Sequence, residues 1–187
     1  MEYLQLSKVY VNNIHNKAGT QAMGIDASGN VDFKTRFTTP ARPAFWVGME
    51  TTTTAANDGI IIFDYVKKNI GSHYSTSTGK FTAPVDGWYQ FTFTILYQGV
   101  ATTDDSLHTH LRVNSAADEN TWLWDRADGQ DANGYSGSGG YLNSRGAAGM
   151  YLSANDTAEL YYTCTGAIQV HGNQNKSWSQ WSGYLIG

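Results

Sequence analysis

The chain of 187 residues is poor in several things, and each shortage narrows what it can be. It has one cysteine, Cys164, so no disulfide can form within it. Set in "ELYYTCTG", that thiol reads as a small core residue of a strand. Only 15% of the residues are charged, and a net charge of −4 with a pI near 5.6 supplies no basic patch for a phosphate backbone. Nucleic acid is therefore not expected as a partner. No apolar run approaches the roughly 18 to 20 residues needed to span a bilayer, so membrane insertion is not expected either. The opening "MEYLQLSKVY" lacks the basic, apolar and small-residue order of a secretory signal, and the mature chain is expected to start near Met1. Catalytic signatures are missing too: there is no Gly-x-Ser-x-Gly elbow, phosphate-cradling loop, Cys-x-x-Cys pair or His-Glu-x-x-His. The reading is of a protein that is not an enzyme, with no catalytic residue to assign.

What is present favours strands. The composition is 13% aromatic with 20 glycines and long Thr, Ser, Asn and Gly tracts, a balance that suits short strands and tight turns. An all-β protein is expected. Two of the three prolines, Pro40 and Pro43, fall in "RFTTPARPAF" and favour an extended connector, which places a domain boundary near residue 42. In residues 1–42, "AMGIDASGNVDF" has apolar residues on both sides of Asp26 to Asn30 and reads as a hairpin with a Gly-containing loop. So short a segment has too few large apolar side chains to fold alone, so it should pack against copies of itself or a larger body. After the boundary, strand signals recur at short spacing through "AFWVG", "GIIIFDYV", "YSTSTGKFTA", "WYQFTFTILY", "SLHTHLRVN", "TWLWDR", "GGYLNSRGAAGMYL", "TAELYYTCT", "IQVH" and "SQWSGYLI". This is the pattern of a β-sandwich or jelly roll. In "YQFTFTILY", alternation puts Tyr89, Phe91, Phe93, Ile95 and Tyr97 on a core face and the small polar Gln90, Thr92 and Thr94 on the other.

The spacing of these residues carries a resemblance. Phe63 is followed after five residues by Asn69, after four more by Tyr74, after six by Phe81, and after five by Gly87-x-Tyr89-x-Phe91-x-Phe93. Near the other end stands Trp181-Ser182-Gly183-Tyr184-Leu185, and between them lies "GMYLSANDTAELYY". Together these resemble the globular head domain of the complement component one-q family, a jelly roll related to the tumour necrosis factor fold. The resemblance covers residues 43–187. It implies a ten-stranded, two-sheet sandwich that assembles as a homotrimer, with loops displayed at the apex. It also implies a structural role for the signature residues Phe63, Asn69, Tyr74, Phe81, Gly87, Tyr89, Phe91, Phe93 and Gly183.

In animal members such a head follows a signal peptide and a collagen-like stalk, and neither is recognised here. Residues 1–42 instead hold "NKAGTQAMGIDASGNVDFKT", which resembles β-rich stretches of bacteriophage fibre proteins. The expectation is a structural virion protein, a fibre tip, knob or capsid decoration. Residues 1–42 would contact other virion proteins, while the head serves host-surface attachment or particle stabilisation through a glycan or protein. The alternative is a free-standing carbohydrate- or protein-binding module of the same fold.

Several side chains are candidates for ligand chemistry. Trp122 and Trp124 share a strand face and could stack on sugar rings, although rings so placed also fill cores and subunit interfaces. The Gly-rich loop "DRADGQDANGYSGSGG" holds Asp125, Asp128, Asp131 and Asn133. These oxygens could serve calcium, but their spacing departs from the regular calcium loop, and a flexible apical loop is the better reading. No other cofactor is expected. His108 and His110 share the side of a strand opposite Leu107 and Leu111 and, with Asp128 and Asp131, are the metal-ligand candidates. Asn155-Asp156-Thr157 and Asn175-Lys176-Ser177 have the form of glycosylation sequons but read as turns.

Overall fold

The computed structural model describes residues 13–15, 17–33, 42–56, 58–98, 106–115, 121–128, 141–164 and 167–186; for 121–128 it describes the backbone course alone. Among these residues there is no helix. The chain divides into two compact units, Met1–Pro40 and Ala41–Gly187.

The first unit is an antiparallel meander of β1 (Asn13–His15), β2 (Gln21–Ile25) and β3 (Val31–Phe33). Its β2–β3 hairpin turns at Asp26 to Asn30, where the sequence places it. The turn is organised by one carboxylate. Asp26 Oδ1 accepts from the amides of Ser28 at 2.9 Å and Asn30 at 2.8 Å, and Oδ2 accepts from Asn30 Nδ2 at 2.9 Å. The Asn30 side chain, then the backbone donors, hold this carboxyl below the ordinary aspartate range. Gly29 takes the left-handed φ of +85° that closes the loop.

The second unit is a two-layer sandwich, as expected. Its strands are β4 (Ala44–Gly48), β5 (Thr53–Ala56), β6 (Gly59–Ile60), β7 (Tyr65–Ile70), β8 (Tyr74–Ser75), β9 (Lys80–Thr82), β10 (Gly87–Gln98), β11 (Ser106–Val113), β12 (Thr121–Asp128), β13 (Tyr141–Leu152), β14 (Thr157–Cys164), β15 (Ala167–Val170) and β16 (Gln180–Leu185). One sheet runs β5-β15-β10-β16-β4-β7, with β13 also paired to β10. The other runs β12-β11-β14-β9-β8, with β6 paired to β14. The thirteen strands of this unit exceed the ten expected because short pieces such as the two-residue β6 and β8 count as strands of their own, and the two-sheet architecture is unchanged.

Two segments depart from the sequence reading for local reasons. "YSTSTGKFTA" is a hairpin of β8 and β9, because Gly79 adopts φ +70° and its amide donates to the Ser75 carbonyl at 2.9 Å. "GIIIFDYV" is broken between β6 and β7, where the Asp64 carboxylate accepts from the amides of Glu50 at 2.7 Å and Thr51 at 3.0 Å. That carboxylate draws the chain out of strand geometry.

The core lies between the sheets. Tyr89, Phe91, Phe93, Ile95 and Tyr97 all point into it from β10, as the alternation requires. Opposite them, β11 contributes Leu107, Thr109 and Leu111, and the Tyr97 hydroxyl shares a 2.9 Å hydrogen bond with the Thr109 hydroxyl. Cys164 ends β14 partly buried and packed against this core.

Candidate functional site

The signature residues form an interlocked group. Asn69 Nδ2 donates to the Tyr74 carbonyl at 2.9 Å, and its Oδ1 accepts from the Tyr74 amide at 3.1 Å. The Tyr74 hydroxyl in turn accepts from the Phe63 amide at 3.1 Å. One side chain thus supplies both backbone bonds that the bend before β8 leaves open, and the phenol supplies a third. Burial pushes the Tyr74 phenol well above its ordinary pKa, with the Asp64 charge adding to the shift and the Phe63 bond opposing it. Phe81 stacks on Phe45 at 5.0 Å between centroids and meets Tyr89 and Phe91 edge-on at 5.5 and 5.7 Å. Each buried ring contributes on the order of 1.5–3 kcal/mol. Gly87 pairs with Leu152 at the start of β10, and Gly183 faces Phe91 with no room for a side chain. These residues hold the fold; none of their functional atoms is presented to solvent as a reacting group.

The opposite face of the larger sheet has a different character. Cross-strand register places Trp88 against Tyr151, Gln90 beside Tyr184, and Thr92 beside Ser182, which itself faces Trp46. Trp46, Trp88, Tyr151 and Tyr184 are each about half exposed. Trp88 and Tyr151 make an edge-on pair at 6.2 Å. A shallow hollow of about 200 Å³ lies between Trp46, Thr92, Thr94, Gln180 and Ser182. Gln180 Oε1 anchors its rim, accepting from Trp46 Nε1 at 2.9 Å and from Lys67 Nζ at 3.0 Å, while Lys67 also sits 4.4 Å over the Trp46 ring. Burial, then the Lys176 charge, lowers the Lys67 pKa. From β10 alone this face reads as small and polar, but the three neighbouring strands make it aromatic. The signal missed in the sequence is the set of outward rings around the Thr run, Trp46, Trp88, Tyr151 and Tyr184.

The smaller sheet carries a charged cluster on its outer side. Glu159 is fully buried, with Arg112 and Ser115 bonded to it and Lys80 Nζ at 3.2 Å. The Arg112 guanidinium also lies 3.4 Å over the Tyr161 ring. His108 and His110 stand in the same row, their rings 6.0 Å apart. His110 is largely buried, with Nε2 3.4 Å from the Thr163 hydroxyl.

Comparison with known proteins bears on these features directly. The family model described as the C1q domain matches residues 44–186. The chain belongs to the C1q domain family. Among curated proteins, human and mouse "Complement C1q tumor necrosis factor-related protein 3" are each 43% identical over 53 residues, 28% of this chain and 21% of theirs. The chain therefore matches about a fifth of the length of those relatives. Among solved structures, the globular domain of zebrafish complement 1qA aligns with TM-score 0.55 at 20% identity, over 78% of this chain and 98% of that one. Eiger TNF from S. frugiperda aligns with TM-score 0.59 at 15% identity, over 78% and 94%. These two establish the shared jelly-roll fold. C1q and tumour-necrosis-factor-like domains are generally non-enzymatic binding modules, and their folds typically form homotrimers.

Within this C1q domain the remaining candidates fall on the paired strands β11 and β12 or outside the described residues. Trp122, Trp124, Asp125 and Asp128 lie on β12, of whose side chains the structure describes nothing, and Asp131 and Asn133 lie outside the described residues. His108 and His110 lie on β11, in the sheet opposite the aromatic face. Among the described residues no three His, Cys, Asp or Glu side chains come together as a metal site. Trp181 is wholly buried among Phe45, Phe63 and Phe91, so its indole belongs to the core and not to a ligand surface. Both sequon-like triplets lie in turns, with Asn155 and Lys176 at positive φ.

Proposed function

We propose that the chain is a homotrimeric display protein of a bacteriophage virion. Residues 43–187 form the head, and residues 1–42 form a short stem that joins it to other virion proteins. The observation that carries the trimer is the outward face of the larger sheet. Half-exposed Trp88, Tyr151, Tyr184 and Trp46 surround small Thr, Ser and Gly positions, an apolar and ring-rich surface of the kind that buries well against a copy of itself. Membership in a family whose folds typically trimerise supports the same assembly. The reading leaves the apical loops free for a host-surface glycan or protein, or for particle stabilisation. The fibre-like stem phrase "IDASGNV" supports the virion setting.

Sedimentation equilibrium on the purified chain is expected to give three times the 20.5 kDa chain mass, and Trp88→Asp is expected to lower it. A stable 20.5 kDa monomer would sink the trimer. Mass spectrometry of purified particles tests the setting, since particles without this chain would instead favour a free-standing binding module. The family's binding-module character favours that second reading.

A further inference from the structure

The three-stranded sheet of the first unit has two unlike sides. Ile14 faces Met23, Met23 faces Phe33, and Ile25 faces Val31 across the ladder. Facing residues of antiparallel neighbours share a side, so these five apolar residues lie together. The register shift between Ile14 and His15 turns Gln21 to the opposite side, where its Nε2 donates to Asn13 Oδ1 at 2.7 Å and where Asp32 also points. One side is thus polar and the other wholly apolar. Yet this side is exposed among the described residues: Ile14, Val31 and Ile25 are 45, 50 and 37% exposed. A sheet this small does not hold its shape in water with such an apolar side wet.

We infer that this side is closed by the same side of two further copies, three sheets facing one another around a threefold axis. The inference rests on the trimeric reading of the head. Three features favour the chain's own copies as the occupant. The apolar side carries no charge, so like meets like without repulsion. Each copy offers roughly 300 Å² of open apolar surface, and three together offer about 1,000 Å², near the lower limit of a specific interface. Finally, only ten residues separate Phe33 from Ala44, where the head's first strand begins. A connector of that length reaches at most about 35 Å, so a trimeric head presents three stems to each other at an effective concentration in the millimolar range. The small patch then suffices, because association is already intramolecular.

The test uses the full chain with Cys164→Ser, carrying either Val31→Cys on the apolar side or Asp32→Cys on the polar side. After mild oxidation, the Val31→Cys protein is expected to run largely as a disulfide-linked dimer on a non-reducing gel, since three cysteines around an axis pair two at a time. Asp32→Cys is expected to remain mostly monomeric on the same gel. Ile25→Cys serves as a second apolar-side probe should Val31→Cys fail to fold, and sedimentation is run on every variant. A trimer in which Val31→Cys or Ile25→Cys cross-links no more than Asp32→Cys overturns the stem arrangement and leaves the trimeric head standing. A monomer overturns both.

Discussion

Replacing Gly183 with alanine tests whether the core is as tightly specified as its ring geometry requires. A Cβ at this position would lie 2.5 and 2.6 Å from Cδ1 and Cε1 of Phe91 and 2.7 Å from Cε1 of Phe45. Ordinary carbon contacts lie at about 3.5–4.0 Å, so both rings would have to retreat by about 1 Å. Neither has room. Phe91 is fully buried and Phe45 is 3% exposed; Phe45 is held at 5.0 Å from Phe81 and 4.7 Å from Trp181. Overpacking costs about 1–3 kcal/mol, and with two immobile rings struck at once the upper end, about 3 kcal/mol, applies. In a chain of this size each kcal/mol moves the melting temperature by about 2–4 °C, so Gly183→Ala is expected to melt about 6–12 °C below the parent. The control is Gly149→Ala on β13, whose Cβ would meet Gln90 Oε1 at 3.5 Å and the Tyr89 carbonyl at 4.0 Å, both ordinary contacts. Made, like Gly183→Ala, in a Trp88→Asp background that frees the outward face from a second copy, that substitution is expected to be neutral or slightly stabilising, because alanine restricts the unfolded chain. Circular dichroism melts at one protein concentration give the comparison. Two alanine variants melting within 1 or 2 °C of each other, roughly the shift of 0.5 kcal/mol, would refute the reasoning.

Other outcomes follow from the polar groups. Glu159→Gln keeps the side chain's shape but leaves Arg112 and Lys80 without their shared carboxylate, which is expected to cost about 3 kcal/mol in urea unfolding; an unchanged midpoint would remove the cluster from any account of stability. Burial raises the phenol pKa of Tyr74, Tyr89 and Tyr162 above the ordinary tyrosine value. The fold therefore favours their neutral forms. That contribution is complete below about pH 10 and is lost as pH rises through the raised values, so stability should fall on the alkaline side. Ultraviolet titration of the folded protein is expected to leave these three protonated above the ordinary tyrosine range. Simultaneous ionisation of all twelve would contradict it.

Features encoded within one stretch of chain were legible in the sequence. The inward rings of β10 follow from alternation alone, and the Asp26 to Asn30 hairpin from its turn residues. The signature from Phe63 to Phe93 was visible as spacing, although its physical content was not. Only the structure shows Asn69 replacing two backbone partners of Tyr74, and Tyr74 completing the amide of Phe63. Features assembled across strands were opaque. The aromatic outer face draws Trp46, Trp88, Tyr151 and Tyr184 from four strands, and the Glu159 cluster joins Lys80 to Arg112 and Ser115 at the end of β11, far from it in the chain. No periodicity links them before the register is known. The break at Asp64 was likewise hidden, since a run of isoleucines outweighs a single carboxylate until its amide partners on Glu50 and Thr51 are seen.

The position of β10 also governs the order in which the protein can be made. One edge of this strand is covered along its whole length by β13, but the other is divided, Tyr89 to Thr94 going to β16 and Tyr97 to Gln98 going to β15. Thr92 and its hydrogen-bond partner Ser182 are 90 residues apart. At translation speeds of about 5–20 residues per second, the most ring-rich strand waits roughly 5–20 s for the segment that completes its sheet. Throughout that interval the nascent chain carries an open strand edge and an unfinished aromatic layer. A ribosome stalled before residue 180 therefore releases a product with the same sticky seam, and its clearance falls to the cell's chaperones and proteases.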